Sequence, residues 1–151
     1  MTGGPYREAL VGIGVDVLIE EDSNDYQGDW VALVVDRADY GNEIGFIQQG
    51  YGSCSGCDAW QATGNLQDRL DLVQEMVNNI RWFDSVESLV EFLSADHEDQ
   101  WWGHHEPAIK LLERSLEALK GLNPVDNDLY SAAWALRKSQ QAVDAKNKYR
   151  E

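Results

Sequence analysis

The chain has 151 residues and a formal net charge of −15. That length suits one domain with a real core, and six Trp and six Tyr argue against a disordered chain. Residues 1–100 hold 20 Asp/Glu against 4 Lys/Arg, a balance of −16, whereas residues 101–151 come to +1; a field of that sign repels phosphates and speaks against binding nucleic acid or an anionic membrane through the first two thirds.

No apolar run approaches the ~20 residues of a membrane span. The start, Met-Thr-Gly-Gly-Pro-Tyr-Arg-Glu, has no basic region followed by a long apolar one, so no secretory signal is expected. Two cysteines do not make a disulfide framework, and a reducing, cytoplasmic location is expected.

In chain order, residues 5–12 predict a short helix, with proline early and Gly12 late. Ile13, Val15, Val17 and Ile19 then alternate with smaller or polar neighbours, which predicts a half-buried strand. Residues 21–28 are a turn by chemistry. Trp30 to Val35 predicts a second strand, Asp36 to Asn42 a second turn, and Glu43 to Gln49 a third strand. Short connections make these an antiparallel meander whose sheet needs a cover on one face.

Beyond residue 64 the period changes. Leu66, Leu70, Val73, Val77 and Ile80 predict a helical stripe, with Met76 beside it. Arg81 to Phe83 predicts a short fourth strand. Asp84 with Glu87 reads as a capping box for a helix presenting Val86, Leu89, Val90 and Leu93. Pro107 opens another helix, with Ile109, Leu112, Leu116 and Leu119 as its stripe. Asn123-Pro124 breaks it. Asp126 or Asp128 caps a last helix, with Leu129, Ala133, Leu136 and Val143 inward, and Lys146, Lys148 and Arg150 suit the negative end of its dipole. The expected fold is α+β: a meander of three or four strands covered by helices, with a C-terminal αα-hairpin. Residues 1–151 form a single domain in this reading, with 1–100 its acidic α+β part and 101–151 the hairpin.

Where the sheet hands over to helices lies Gly-Tyr-Gly-Ser-Cys-Ser-Gly-Cys-Asp, with Cys54 and Cys57 two residues apart. One reading is structural, small residues in a tight turn with the cysteines as small buried hydrophobes. A second is zinc, with Cys54, Cys57 and two of the three histidines, His104 and His105 foremost and His97 nearby. The ligand types fit; the spacing matches no common finger. A third is thiol redox chemistry, which the acidic surroundings of Asp58 oppose. No cofactor is required by the structural reading.

Trp101 and Trp102 are adjacent, so both cannot enter one core from a helix. Either both lie flat against sheet and hairpin, or one is exposed as an interface anchor. Asp22, Asp25 and Asp29 are loop carboxylates without calcium-loop spacing. No phosphate loop, dinucleotide fingerprint or zinc-protease motif is present, and no complementary catalytic pair can be assembled from neighbouring residues. No enzyme is expected.

The segments Asp25-Tyr26-Gln27-Gly28-Asp29, Tyr51-Gly52-Ser53-Cys54-Ser55-Gly56-Cys57-Asp58 and Trp82-Phe83-Asp84-Ser85 resemble small uncharacterised proteins of bacteriophages and actinobacteria. The resemblance spans about residues 15–93. It implies a phage-encoded, cytoplasmic accessory protein and assigns no catalytic residue. The functional expectation is an acidic, non-enzymatic module. It would dock a basic protein site, with Trp101, Trp102, Asp22, Asp25 and Asp29 as contacts. The competing class is a zinc or thiol protein using Cys54 and Cys57.

Overall fold

Trp30 to Val35 are six consecutive residues, and every one is wholly buried. An antiparallel strand normally wets one face, so an unbroken apolar run needs cover on both. The computed structural model, which describes residues 4–22, 28–51, 64–95, 106–123 and 127–148, shows that cover. Four strands, β1 (Val15–Asp22), β2 (Gly28–Asp36), β3 (Ile44–Tyr51) and β4 (Arg81–Phe83), form one antiparallel sheet in the order β1-β2-β3-β4. Helices α1 (Gly4–Gly12) and α2 (Leu66–Asn78) cover one face. Helices α3 (Val86–Ser94), α4 (Glu106–Leu119) and α5 (Leu129–Lys148) cover the other. The fold is α+β, and its meander, fourth strand and two C-terminal helices stand as the sequence predicts. The cover is double rather than single, and β2 is the reason.

The two faces carry separate cores. On the α1/α2 side Tyr6, Leu10, Trp30, Val34, Ile47 and Met76 pack together, with Tyr6 stacked on Trp30 at 6.4 Å. On the other side Leu33, Val35, Ile44 and Phe46 meet Leu89 and Phe92 of α3 and Leu111 of α4. Phe92 sits 5.1 Å from Phe46 and 4.9 Å from Phe83, and the Arg81 guanidinium lies 4.9 Å over its ring. Full burial of one such side chain contributes roughly 1.5–3 kcal/mol.

Several sequence expectations shift in detail. Ile13 is half exposed in the turn after α1 and is not in β1. A register break between Val17 and Ile19 makes Leu18 a bulge, so Ile19 pairs with Leu33 and joins the opposite core from Val15. One extra residue flips every later side chain to the other face. The first half of the α2 stripe turns out, with Leu66 72% and Leu70 49% exposed, while Val73, Met76 and, just after the helix, Ile80 are buried and Val77 packs against the core. Ser85, not Asp84, caps α3, its Oγ accepting from Ser88 N at 3.1 Å. Val90 is half-buried, and Phe92 takes the inward place. In α4 the inward positions are Ala108, Leu111, Leu112, Ser115 and Leu119, with Leu116 half-buried and Ile109 turned out. Asp128 caps α5 through Ser131 N at 2.9 Å. Val143 is half-buried, and Ala132 and Gln140 are inward.

Ser115 is wholly buried on α4, and its hydroxyl has no hydrogen-bond partner. An unmet buried hydroxyl costs about 1–3 kcal/mol, and Ala is the better helix former. Ser115→Ala should therefore stabilise the protein by about 1 kcal/mol, read as a higher urea midpoint at unchanged slope. A lower midpoint would show that the hydroxyl is held.

Candidate functional site

Asp36 ends β2, and its Oδ1 accepts from Ala38 N at 2.9 Å, fixing a single 3-10 turn at Arg37–Asp39. Asp39 Oδ1 accepts from Asn42 Nδ2 at 2.6 Å, closing the turn into β3. Gly41 supplies the positive φ of 98° that the turn needs, and Tyr130 of α5 packs directly over it. Arg37 is the turn's one cation. It is bound to Asp16, with Nη2 2.6 Å from Oδ1, and it donates to the Val11 carbonyl. The turn therefore presents acids while its base is turned toward α1 and β1.

A cleft opens on each side of this turn. The first, about 260 Å³, is lined by Asp36, Asp39, Glu43, Val77 and the half-buried Trp82. The second, about 360 Å³, lies between Gly41 and Asn42 and the N-terminal ends of α3 and α5, with Asp84, Glu87 and Asp128 on its wall. Two helix N-termini facing one cleft would ordinarily favour an anion. Here Ser85 and Asp128 already accept the first N–H groups, and three carboxylates make the cleft negative. The Ser131 N–H holds the Asp128 carboxyl below the usual carboxylate range. Together the clefts carry Asp36, Asp39, Glu43, Asp84, Glu87 and Asp128, and among the described residues none of these six has a cationic partner. Fixed carboxylates beside an indole suit recognition of a cation.

Glu20 is the other electrostatically unusual group. Trp30 Nε1 donates to its Oε1 at 3.2 Å. Arg7 Nη1 lies 2.9 Å from its Oε2 as an ion pair without an aligned hydrogen bond. Burial raises its pKa above the ordinary 4.5; Arg7 and Trp30 oppose that shift, and Asp144 and Asp22 add to it. Perturbed carboxyls often mark sites, but this one ties α1 to the sheet and lines neither cleft. Its native state holds a proton more tightly than the unfolded chain does. Ionised Glu20 thus weakens the fold at neutral pH, and the penalty is relieved as pH falls toward 4.5. The stability of the wild type relative to Glu20→Gln should therefore rise as pH falls from neutrality through the raised pKa toward the ordinary 4.5. Urea unfolding of both proteins measures it, and a difference that falls on acidification would refute the assignment.

Of the residues singled out from sequence, Asp22 is half-buried at the end of β1 opposite Trp30, and Asp29 is buried in β2 opposite Gly50. Asp25, Trp101, Trp102, Cys54, Cys57, His97, His104 and His105 lie outside the described residues. Among the described residues no three His, Cys, Asp or Glu side chains group to hold a metal ion, and no helix is long and apolar enough to cross a membrane. The cleft carboxylates were missed in the sequence, although Asp36, Asp39 and Glu43 bracket one predicted turn. Compared with known proteins, the chain matches no family model, no curated protein and no solved structure.

Proposed function

We propose that this chain is a non-enzymatic acidic binding module that docks a basic site on a protein partner through the β2–β3 turn and its two clefts. The observation that carries this reading is six carboxylates around one turn that have no cationic partner among the described residues, with Trp82 in the wall of the first cleft. Their geometry favours ion pairing over proton transfer. Asp36, Asp39 and Asp128 are pinned as acceptors by N–H donors of their own loop or helix. The balance of −16 over residues 1–100 would steer a basic partner from a distance. The resemblance to small phage and actinobacterial proteins supports a phage-encoded accessory. It would act in the cytoplasm on a host protein that handles nucleic acid, occupying that protein's basic site.

The test uses a labelled oligolysine peptide as the cationic probe. Exposed ion pairs contribute about 0.5–1 kcal/mol each, so Asp39→Asn with Glu43→Gln should weaken binding about tenfold. Association should also slow as salt shortens the screening length to ~10 Å at about 0.1 M. Binding that ignores both salt and the double substitution would refute the proposal.

A further inference from the structure

The first cleft has two kinds of wall. Val77 and Trp82 are half-buried and apolar, whereas Asp36, Asp39 and Glu43 are exposed and acidic. The sheet holds Trp82 in place. Its partner across β3 is Gly45, where a Cβ would stand 3.0 Å from Cε3 and 3.1 Å from Cζ3 of the indole. With only hydrogen at Gly45, the ring settles against the β3 backbone and packs on the α1/α2 core. The part of it left uncovered lines the cleft. Asp36 and Asp39 each spend Oδ1 on their own turn, on Ala38 N and Asn42 Nδ2. Among the described residues the second oxygen of each, and the whole Glu43 carboxylate, has no partner.

These features choose between cations. A metal ion needs ligands that converge on one point, and among the described residues no three His, Cys, Asp or Glu side chains do so. An ammonium is a compact, strongly hydrated charge that pairs with the rim and stays in water. A guanidinium is planar and weakly hydrated. It can lie on the indole and still turn its fork of N–H donors toward two spread carboxylates. The second cleft has three carboxylates but no aromatic ring, so it has no basis for the same choice.

We propose that the first cleft is an arginine pocket. It takes one arginine side chain of the basic partner, with the guanidinium stacked on Trp82 and bonded to carboxylates of Asp36, Asp39 or Glu43. This rests on the docking function above and names the side chain that makes the contact.

Labelled oligoarginine and oligolysine of equal length, compared at one salt concentration, test it. Oligoarginine should bind about three- to tenfold more tightly. Arginine pairs well with any carboxylate, so the decisive reading is how that ratio responds to substitution. Trp82→Leu keeps an apolar side chain against Gly45 and should bring the ratio down about threefold or more. Asp84→Asn with Glu87→Gln, in the second cleft, should weaken both peptides alike and keep the ratio. Circular dichroism confirms that each variant is folded. In the wild type the Trp82 indole N–H resonance, identified by its loss in Trp82→Phe, should move with oligoarginine and much less with oligolysine. That reading holds even if Trp82→Leu does not fold. Equal affinities, a ratio unchanged in Trp82→Leu, or an indole resonance that oligoarginine does not move would each overturn the arginine pocket. Docking on carboxylates would survive all three, because oligolysine still binds. Binding of neither peptide would overturn the docking function and the pocket with it.

Discussion

Gly45→Val should lower stability by about 2–3 kcal/mol and push Trp82 out of the acidic cleft. Gly45 lies in β3 opposite Trp82 of β4 and is buried. A Cβ there would collide with Ile80 Cγ2 and stand 3.0 Å from Trp82 Cε3. Only Trp82, half-buried beside the open cleft, has somewhere to go. Ile80 is buried in the core beneath α2, and Trp82 is wedged between that core and the cleft. A branched side chain would have to move the indole outward or separate β4 from β3. The urea midpoint should fall, and oligolysine affinity should fall with it, because Trp82 leaves the cleft wall. Gly45→Ala should show the same effects at smaller size. An unchanged midpoint with Gly45→Val would show that β4 is not packed as described. A lower midpoint with unchanged peptide affinity would remove Trp82 from the recognition surface.

Much of the architecture was legible in the sequence because its punctuation is local. Asp-Tyr-Gly-Asn closes a turn whether or not the rest of the chain is known. What was not legible depends on long-range contact. Ile13, Val15, Val17 and Ile19 alternate well enough for a straight strand, and nothing local marks Leu18 as a bulge. The sheet places it there, because both Leu18 and Ile19 find apolar cover beneath α4 and α5. Along α2 helical spacing alone leaves the inward face open, and packing with Leu10 and Trp30 selects Met76, flanked by Leu72 and Val77. The site failed to show for a similar reason. Glu87 and Asp128 are far apart in sequence and share one cleft only because α3 and α5 both begin beside the β2–β3 turn, while Asp36 lines the other cleft. The acidity was plain in composition, but its convergence on one end of the molecule is a property of the fold.

Arg114→Ala should cost about 2–4 kcal/mol and make the protein prone to edge-to-edge association. β1 is an edge strand, and an edge leaves N–H and C=O groups without a strand to pair with. At Glu20 two helices supply the missing partners. Gln140 Oε1 on α5 accepts from Glu20 N at 3.0 Å, and Arg114 Nη1 on α4 donates to Glu20 O at 2.9 Å. Arg114 Nη2 also donates to Gln140 Oε1 at 3.3 Å, Nη1 lies 3.4 Å from Glu21 Oε2, and Gln140 Nε2 donates to Asp144 Oδ1 at 3.0 Å. The guanidinium thus joins the edge backbone, an edge carboxylate and the α5 amide at once. Its removal leaves the Glu20 carbonyl and the half-buried Glu21 carboxylate unpaired, and the loss of its aliphatic stem adds to the penalty. Arg114→Lys restores the charge but not the fork, since one ammonium cannot reach the Glu20 carbonyl and Gln140 with the same geometry. Lysine should therefore recover only part of the stability. Urea unfolding measures the cost, and light scattering at rising concentration reads the exposed edge. Full recovery by lysine would reduce the contact to a charge effect. An alanine variant as stable as the wild type would mean that water satisfies the edge of β1 as well as the helices do.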